Sequence, residues 1–150
     1  MTGISITDFT EKMNQIMPEI MKGFARRQHN EIYKGKITLP QLLILEYLSR
    51  QGASKMTDLA KFMHVTTAAS TGIVERLVRL GYVQRIYDQE DRRIVKIKLN
   101  TKGTEILKKI IQQRTQSMTK VFSQISEDDR ADYLRILMQV KDILEKEEDR

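Results

Sequence analysis

The sequence predicts a mainly α-helical fold that carries one small antiparallel β-hairpin. Three observations predict it. Apolar residues recur at spacings of three and four through most of the 150 positions, the period of amphipathic helices. Residues 82–99, YVQRIYDQEDRRIVKIKL, break that period: two β-branched and aromatic runs flank a charged tip, and Val95-Lys96-Ile97-Lys98-Leu99 alternates apolar with basic, as a strand with one buried face does. Helix-capping residues and glycines punctuate the helical stretches at intervals that suit short turns. A chain of this length is expected to form one integrated domain, or one small domain with helical extensions, whose core needs no staples.

The elements follow in order. Over about 8–34, Phe9, Met13, Ile16, Met17, Ile20 and Phe24 fall at helical spacing, and Pro18 either opens the main helix or kinks it. Tyr33-Lys34-Gly35-Lys36 ends that segment. Thr38-Leu39-Pro40-Gln41 is a capping-box start for a helix over about 39–51. Leu42, Leu43, Ile44, Leu45, Tyr47 and Leu48 make it apolar nearly all round, which predicts the buried centre, and Gly52 stops it. Thr57 is expected to cap a short helix reaching about Met63, and His64-Val65 makes a turn. Thr66 or Thr67 caps the next helix, about 67–80, which Gly81 ends. There Ala69, Ile73, Leu77 and Leu80 share the inward face, and Thr67, Thr71, Glu75 and Val78 point away. Beyond the hairpin a long helix covers about 101–124. Ser126 caps a last helix with an acidic first turn (Glu127, Asp128, Asp129) and a stripe from Tyr133 to Leu144. The tail EKEEDR is expected to fray.

Two helices joined by so short a turn, the second opening on small polar residues, form a helix-turn-helix, and a basic hairpin directly after it makes a winged helix-turn-helix. Charge supports the pairing. Of a formal net charge of +6, residues 54–103 hold ten basic against five acidic side chains, whereas residues 104–150 hold nine against ten. A positive field concentrated in one segment is expected of a nucleic-acid partner's footprint. The organisation expected is an N-terminal dimerisation helix (1–37), a winged helix-turn-helix core (38–100) and C-terminal dimerisation helices (101–150). The terminal stripes are too long and too apolar for the core to cover, so a second copy of the chain, giving a homodimer, is the economical partner.

Other classes are excluded by what the chain lacks. With no cysteine there is neither a disulfide framework nor a thiolate metal or redox site. His29 and His64 are too few and too far apart for a metal site, and no cofactor is implied. No run of 18 apolar residues spans a membrane, and MTGISITDFTEKMNQ lacks the basic start and apolar stretch of a signal peptide, so a cytoplasmic protein is expected. No Ser-His-Asp, paired-carboxylate or phosphate-loop pattern suggests an enzyme.

In the helix that opens at Thr66 or Thr67, the first turns carry Thr66, Thr67, Ala68, Ser70 and Thr71. Short hydroxyls there suit phosphates and base edges, and methyl groups suit thymine. Thr66 or Thr67 serves equally as an N-cap. Arg79 is a phosphate ligand by position, while Arg76, near the buried face, is open to an internal salt bridge or to DNA.

The stretches DLAKFMHVTTAASTGIVERLVRLGYVQR (58–85), DQEDRR (88–93) and LNTKG (99–103) resemble the MarR (multiple antibiotic resistance regulator) family of bacterial transcription regulators, over nearly the whole length. Asn100 stands where that family usually has threonine, and both residues cap helices. The resemblance implies a triangular homodimer on a pseudo-palindromic double-stranded DNA operator. A recognition helix would enter each major groove and a wing an adjacent minor groove. It further implies that Arg93 inserts into the minor groove, that Asp91 holds it, and that Arg92 adds phosphate contact. Most such proteins are repressors, and many release DNA on binding a small aromatic or lipophilic effector. That pocket would lie between the terminal-helix and DNA-binding lobes, with Arg26, His29 and Tyr33 as candidate lining. The alternative class is a winged-helix architectural or protein/RNA-interaction module without ligand response.

Overall fold

The computed structural model describes residues 3–27 and 36–148. Among the described residues, six helices and three strands run in the order α1 (Ile6–Arg27), α2 (Leu39–Gln51), β1 (Ser54–Lys55), α3 (Met56–Met63), α4 (Thr67–Arg79), β2 (Val83–Tyr87), β3 (Val95–Leu99), α5 (Thr101–Phe122) and α6 (Glu127–Glu148). The chain divides into two compact units, Met1–Arg114 and Thr115–Arg150, so the division falls inside α5.

The first unit is built around α2. The Thr38 hydroxyl accepts the Gln41 amide, and the Gln41 side chain accepts the Thr38 amide at 2.9 Å, closing the capping box the sequence predicts. Leu42, Ile44, Leu45 and Leu48 are buried on it. They pack with Ile37, Leu59, Val74, Leu77, Tyr82, Val83, Ile97, Leu107 and Ile110 in one core. At its end Gly52 takes φ +77°, a value that favours glycine. On the rim, Arg114 of α5 donates to Glu46 of α2 at 2.5 Å.

Two local expectations are corrected. Thr57 does not cap α3: the helix begins at Met56 with Lys55 in the cap position and no side-chain cap bond. Ser54 and Lys55 have paired with β3 as a two-residue strand, Ser54 opposite Ile97 and Lys55 opposite Lys96, so the pairing delivers the chain into the helix. The inward face of α4 is also rotated. Ser70, Val74 and Leu77 are buried, Ala69 is exposed, and Ile73 and Leu80 are only flanks. Between these helices His64 adopts φ 53°, ψ 41°, a left-handed residue that ends α3.

The hairpin is antiparallel, with Val83 opposite Leu99, Arg85 opposite Ile97 and Tyr87 opposite Val95, and the sheet order is β1-β3-β2. Its root is tied to α4 and α5 by one cluster. Gly81, at φ +78°, turns the chain after α4. Asn100 caps α5 by accepting the Gly103 amide at 2.8 Å and donates from its other amide atom to the Gly81 carbonyl at 2.6 Å. Lys102 donates to the Leu80 carbonyl at 2.9 Å and lies over the Tyr82 ring. Threonine, a single hydroxyl on a shorter stem, has no separate amide donor for that second bond.

α1 passes through Pro18 without interruption, so Pro18 does not open the helix, and none of its residues is buried. The sequence-predicted end of this segment, at 33–36, falls mostly outside the described residues. In the second unit, Arg130 donates to the Phe122 and Ile125 carbonyls, closing the end of α5, and Phe122 stacks on Tyr133. The Ser126 hydroxyl accepts the Asp129 amide and caps α6, which continues to Glu148 and takes in most of the tail expected to fray.

Gly103 is the tightest point of the root. A methyl group there would sit 2.0 Å from the Tyr82 carbonyl oxygen and 2.9 Å from Leu99. Gly103→Ala is therefore expected to destabilise the fold by about 1–3 kcal/mol, despite alanine's better helix propensity. Chemical denaturation checks this, and a variant as stable as the parent would remove the contact from the argument.

Candidate nucleic-acid interface

Helix α4 presents an open face. Thr66 is the N-cap, its hydroxyl accepting the Ala69 amide at 3.1 Å, which settles the choice between Thr66 and Thr67 as cap. Thr66, Thr67, Ala68, Gly72, Arg76 and Arg79 are exposed, and Thr71 is half-buried with its hydroxyl donating to the Thr67 carbonyl. Ser70 is the exception among the sequence-predicted contacts. It is fully buried, and its hydroxyl lies 3.6 Å from the Met56 sulfur, so it belongs to the packing between α3 and α4 rather than to the open face. Its polarity suggested the surface; a hydroxyl that finds a partner inside has no need of water. Among the described residues, nothing beyond the adjoining stretch of α4 itself lies within 4 Å of a methyl group placed on Gly72.

The hairpin tip is held by two carboxylates. Asp88 accepts the backbone amides of Glu90 at 2.9 Å and Asp91 at 3.2 Å, and its other oxygen is 3.4 Å from the Lys96 ammonium. Asp91 accepts the Arg93 amide at 3.0 Å and the same guanidinium twice, at 3.1 and 3.3 Å. That fork fixes Arg93 while leaving its side chain 92% exposed. Arg92 is exposed beside it, lining a shallow concavity with Ile86, Tyr87, Asp88 and Gln89.

One ion pair beside this surface escaped the sequence reading. Glu75 of α4 forms an ion pair with Arg85 of β2. Ten residues and a turn separate the two, so only the geometry at Gly81 brings them together. Arg76 and Arg79, by contrast, are exposed on the open side of α4.

Several expectations about ligands meet the structure here. His29 and Tyr33 lie outside the described residues, and Arg26 is exposed in the last turn of α1. Among the described residues no group of three or more acidic or histidine side chains could hold a metal ion, and no helix is long and apolar enough to cross a membrane.

The chain is similar to known proteins of one family. The model of the MarR family matches residues 37–95. The HTH-type transcriptional repressor YetL of Bacillus subtilis (strain 168) is 27% identical over 134 residues, covering 89% of this chain and 75% of that protein. A MepR-like protein, crystallised in complex with pseudoligands, is 31% identical, with 89% of this chain and 94% of that one covered at a TM-score of 0.58. A MarR family protein from Bacillus stearothermophilus shares the fold at a TM-score of 0.77, with 22% identity over 94% of this chain and 99% of its own.

The tip has a pH signature. Hydrogen bonds from the Glu90 and Asp91 amides, then Lys96, hold the Asp88 carboxyl below the ordinary 3.8; the Arg93 guanidinium, then its amide, does the same for Asp91. A carboxyl depressed in the folded state contributes order above its unfolded value and loses it as pH falls through the lower folded value. The amide resonances of Glu90, Asp91 and Arg93 should therefore hold steady down to about pH 4. Below that they should move with a midpoint under 3.8. A midpoint at or above 3.8 in an NMR titration would mean the tip is not organised by these bonds.

Proposed function

The chain belongs to the MarR family of DNA-binding transcription regulators, and we propose that it works as a homodimeric, sequence-specific repressor relieved by a small organic ligand. The observation that carries the reading is the wing tip. An aspartate spends its charge aiming one arginine, and that arginine is left almost wholly in solvent. A guanidinium so placed suits a narrow minor groove, whose negative potential is deepest where the walls are close. Thr66, Thr67, Ala68 and Thr71 on α4 would meet the adjacent major groove, with Arg76, Arg79 and Arg92 on phosphates.

The homodimer is supported by the terminal helices. Phe9, Met13, Ile16, Met17 and Ile20 form a continuous stripe on α1, and Leu134, Leu137, Val140, Ile143 and Leu144 another on α6; Ile16 is 49% and Leu134 59% exposed. Apolar stripes of that length call for a protein partner. A second copy supplies the same stripes and matches a twofold operator. Repression is supported by the likeness to YetL, a transcriptional repressor, and a small organic effector by the likeness to the MepR-like protein complexed with pseudoligands.

Selection of bound sequences from a random duplex pool, repeated with a panel of aromatic acids, tests the reading. The expected result is a pseudo-palindrome with half-sites about 10 base pairs apart, occupied less when an acid binds. Enrichment of no sequence would favour an architectural role or a protein or RNA partner. On the selected duplex, Arg93→Ala should weaken binding by about 1–3 kcal/mol, read by gel-shift titration; unchanged affinity would remove Arg93 from the interface. Gly72→Ala should act with opposite signs. It should stabilise the fold by up to about 1 kcal/mol through helix propensity, and it should weaken binding to the operator because it thickens the face that enters the groove. A variant that gains stability and keeps its affinity would show that α4 does not approach DNA at Gly72.

A further inference from the structure

We propose that the Glu75–Arg85 ion pair is a strut that sets the angle between α4 and the wing, and that Arg85 is a positioning residue rather than a phosphate ligand. The inference rests on the DNA-binding reading above and adds a device to it.

The register decides where Arg85 points. Cross-strand partners share a face of the ribbon, so Val83, Arg85 and Tyr87 lie with Leu99, Ile97 and Val95. Val83 and Ile97 on that face are buried in the core, whereas Lys96 and Lys98 are on the other. Arg85 therefore leaves the ribbon on the side of the protein body, at the place where that face passes from buried Val83 to Tyr87, which is 65% exposed.

The pair also completes a triangle. Helix α4 and strand β2 diverge from the turn at Gly81, which is fixed by the Gly81 amide donating to the Val78 carbonyl, the Tyr82 amide to the Leu77 carbonyl and the Asn100 side chain to Gly81. Those bonds hold the apex. Glu75 is six residues before Gly81 and Arg85 four after it, so their ion pair spans the two arms away from the apex. A triangle with a closed third side resists opening, and two elements that must enter neighbouring grooves together need a fixed separation.

Charge alone predicts the opposite outcome, which makes the strut testable. Removing an acid from a surface that meets phosphates raises affinity for any duplex if that acid is only a charge. If Glu75 is one end of a strut, Glu75→Gln raises affinity for random duplex but lowers it for the operator selected by the parent protein, so the ratio of the two falls. We expect a fall of about tenfold for Glu75→Gln and for Arg85→Gln. The double variant Glu75→Gln/Arg85→Gln should be no worse than either single, and the exchange Glu75→Arg/Arg85→Glu should recover part of the ratio. The salt dependence of operator binding should keep its slope in Arg85→Gln, since no phosphate contact is lost. Thermal melting of each variant separates loss of discrimination from loss of fold, and the exchange variant keeps the test open if a single variant melts early. Equal gains for operator and random duplex in Glu75→Gln would overturn the strut. So would a slope reduced by about one in Arg85→Gln with additive effects, the mark of a direct phosphate contact. A parent protein that selects no sequence would overturn the DNA reading itself, before any variant is compared.

Discussion

The contact between the Gly103 backbone and the Tyr82 carbonyl governs the arrangement of the first unit. It lets the start of α5 press against the root of the hairpin with no side chain between them. Asn100 and Lys102 then bind the carbonyls at the end of α4 from the same short segment. Three elements consequently meet at one point: a helix that opens a face to solvent, a ribbon that projects outward, and a helix that leaves toward the second unit. Each bond there is ordinary. The consequence lies in their concurrence, because a carbonyl satisfied by α5 is a carbonyl that α4 cannot move without leaving it unpaired.

Three acids of α4 and the wing are matched to cations: Asp91 to Arg93, Asp88 to Lys96, Glu75 to Arg85. These pairs are exposed enough that their contribution to folding is small. Their worth lies in direction, since each holds a long side chain in one place. Arg76, Arg79 and Arg92, exposed on α4 and at the tip, carry the field outward.

Much of this was legible in the chain. The Thr38–Gln41 box, the stops at Gly52 and Gly81, and the alternation through Val95–Leu99 rest on local chemistry that the residues state outright, and the Asp91–Arg93 fork was implied by resemblance. What was hidden depends on distant segments. Strand β1 exists only because β3 lies beside Ser54 and Lys55, and its formation moved the start of α3 away from Thr57. The rotation of α4 turned on Ser70, whose hydroxyl finds a sulfur fourteen residues earlier in the chain. The ion pair of Glu75 with Arg85 needed the turn between them before either residue could be seen as a partner.

The strand order has a consequence for how the molecule avoids sticking to others. Because β3 is central, β2 runs along an open border, and the brief β1 shields only the middle of β3 on its far side. An uncovered ribbon border is a template on which a foreign strand could dock. On the far side of β3, Lys98 stands just past the two residues that β1 covers, and a lysine at such a place discourages a foreign strand from pairing there. A basic residue of the hairpin can thus discourage self-association as well as add to the field that attracts a polyanion.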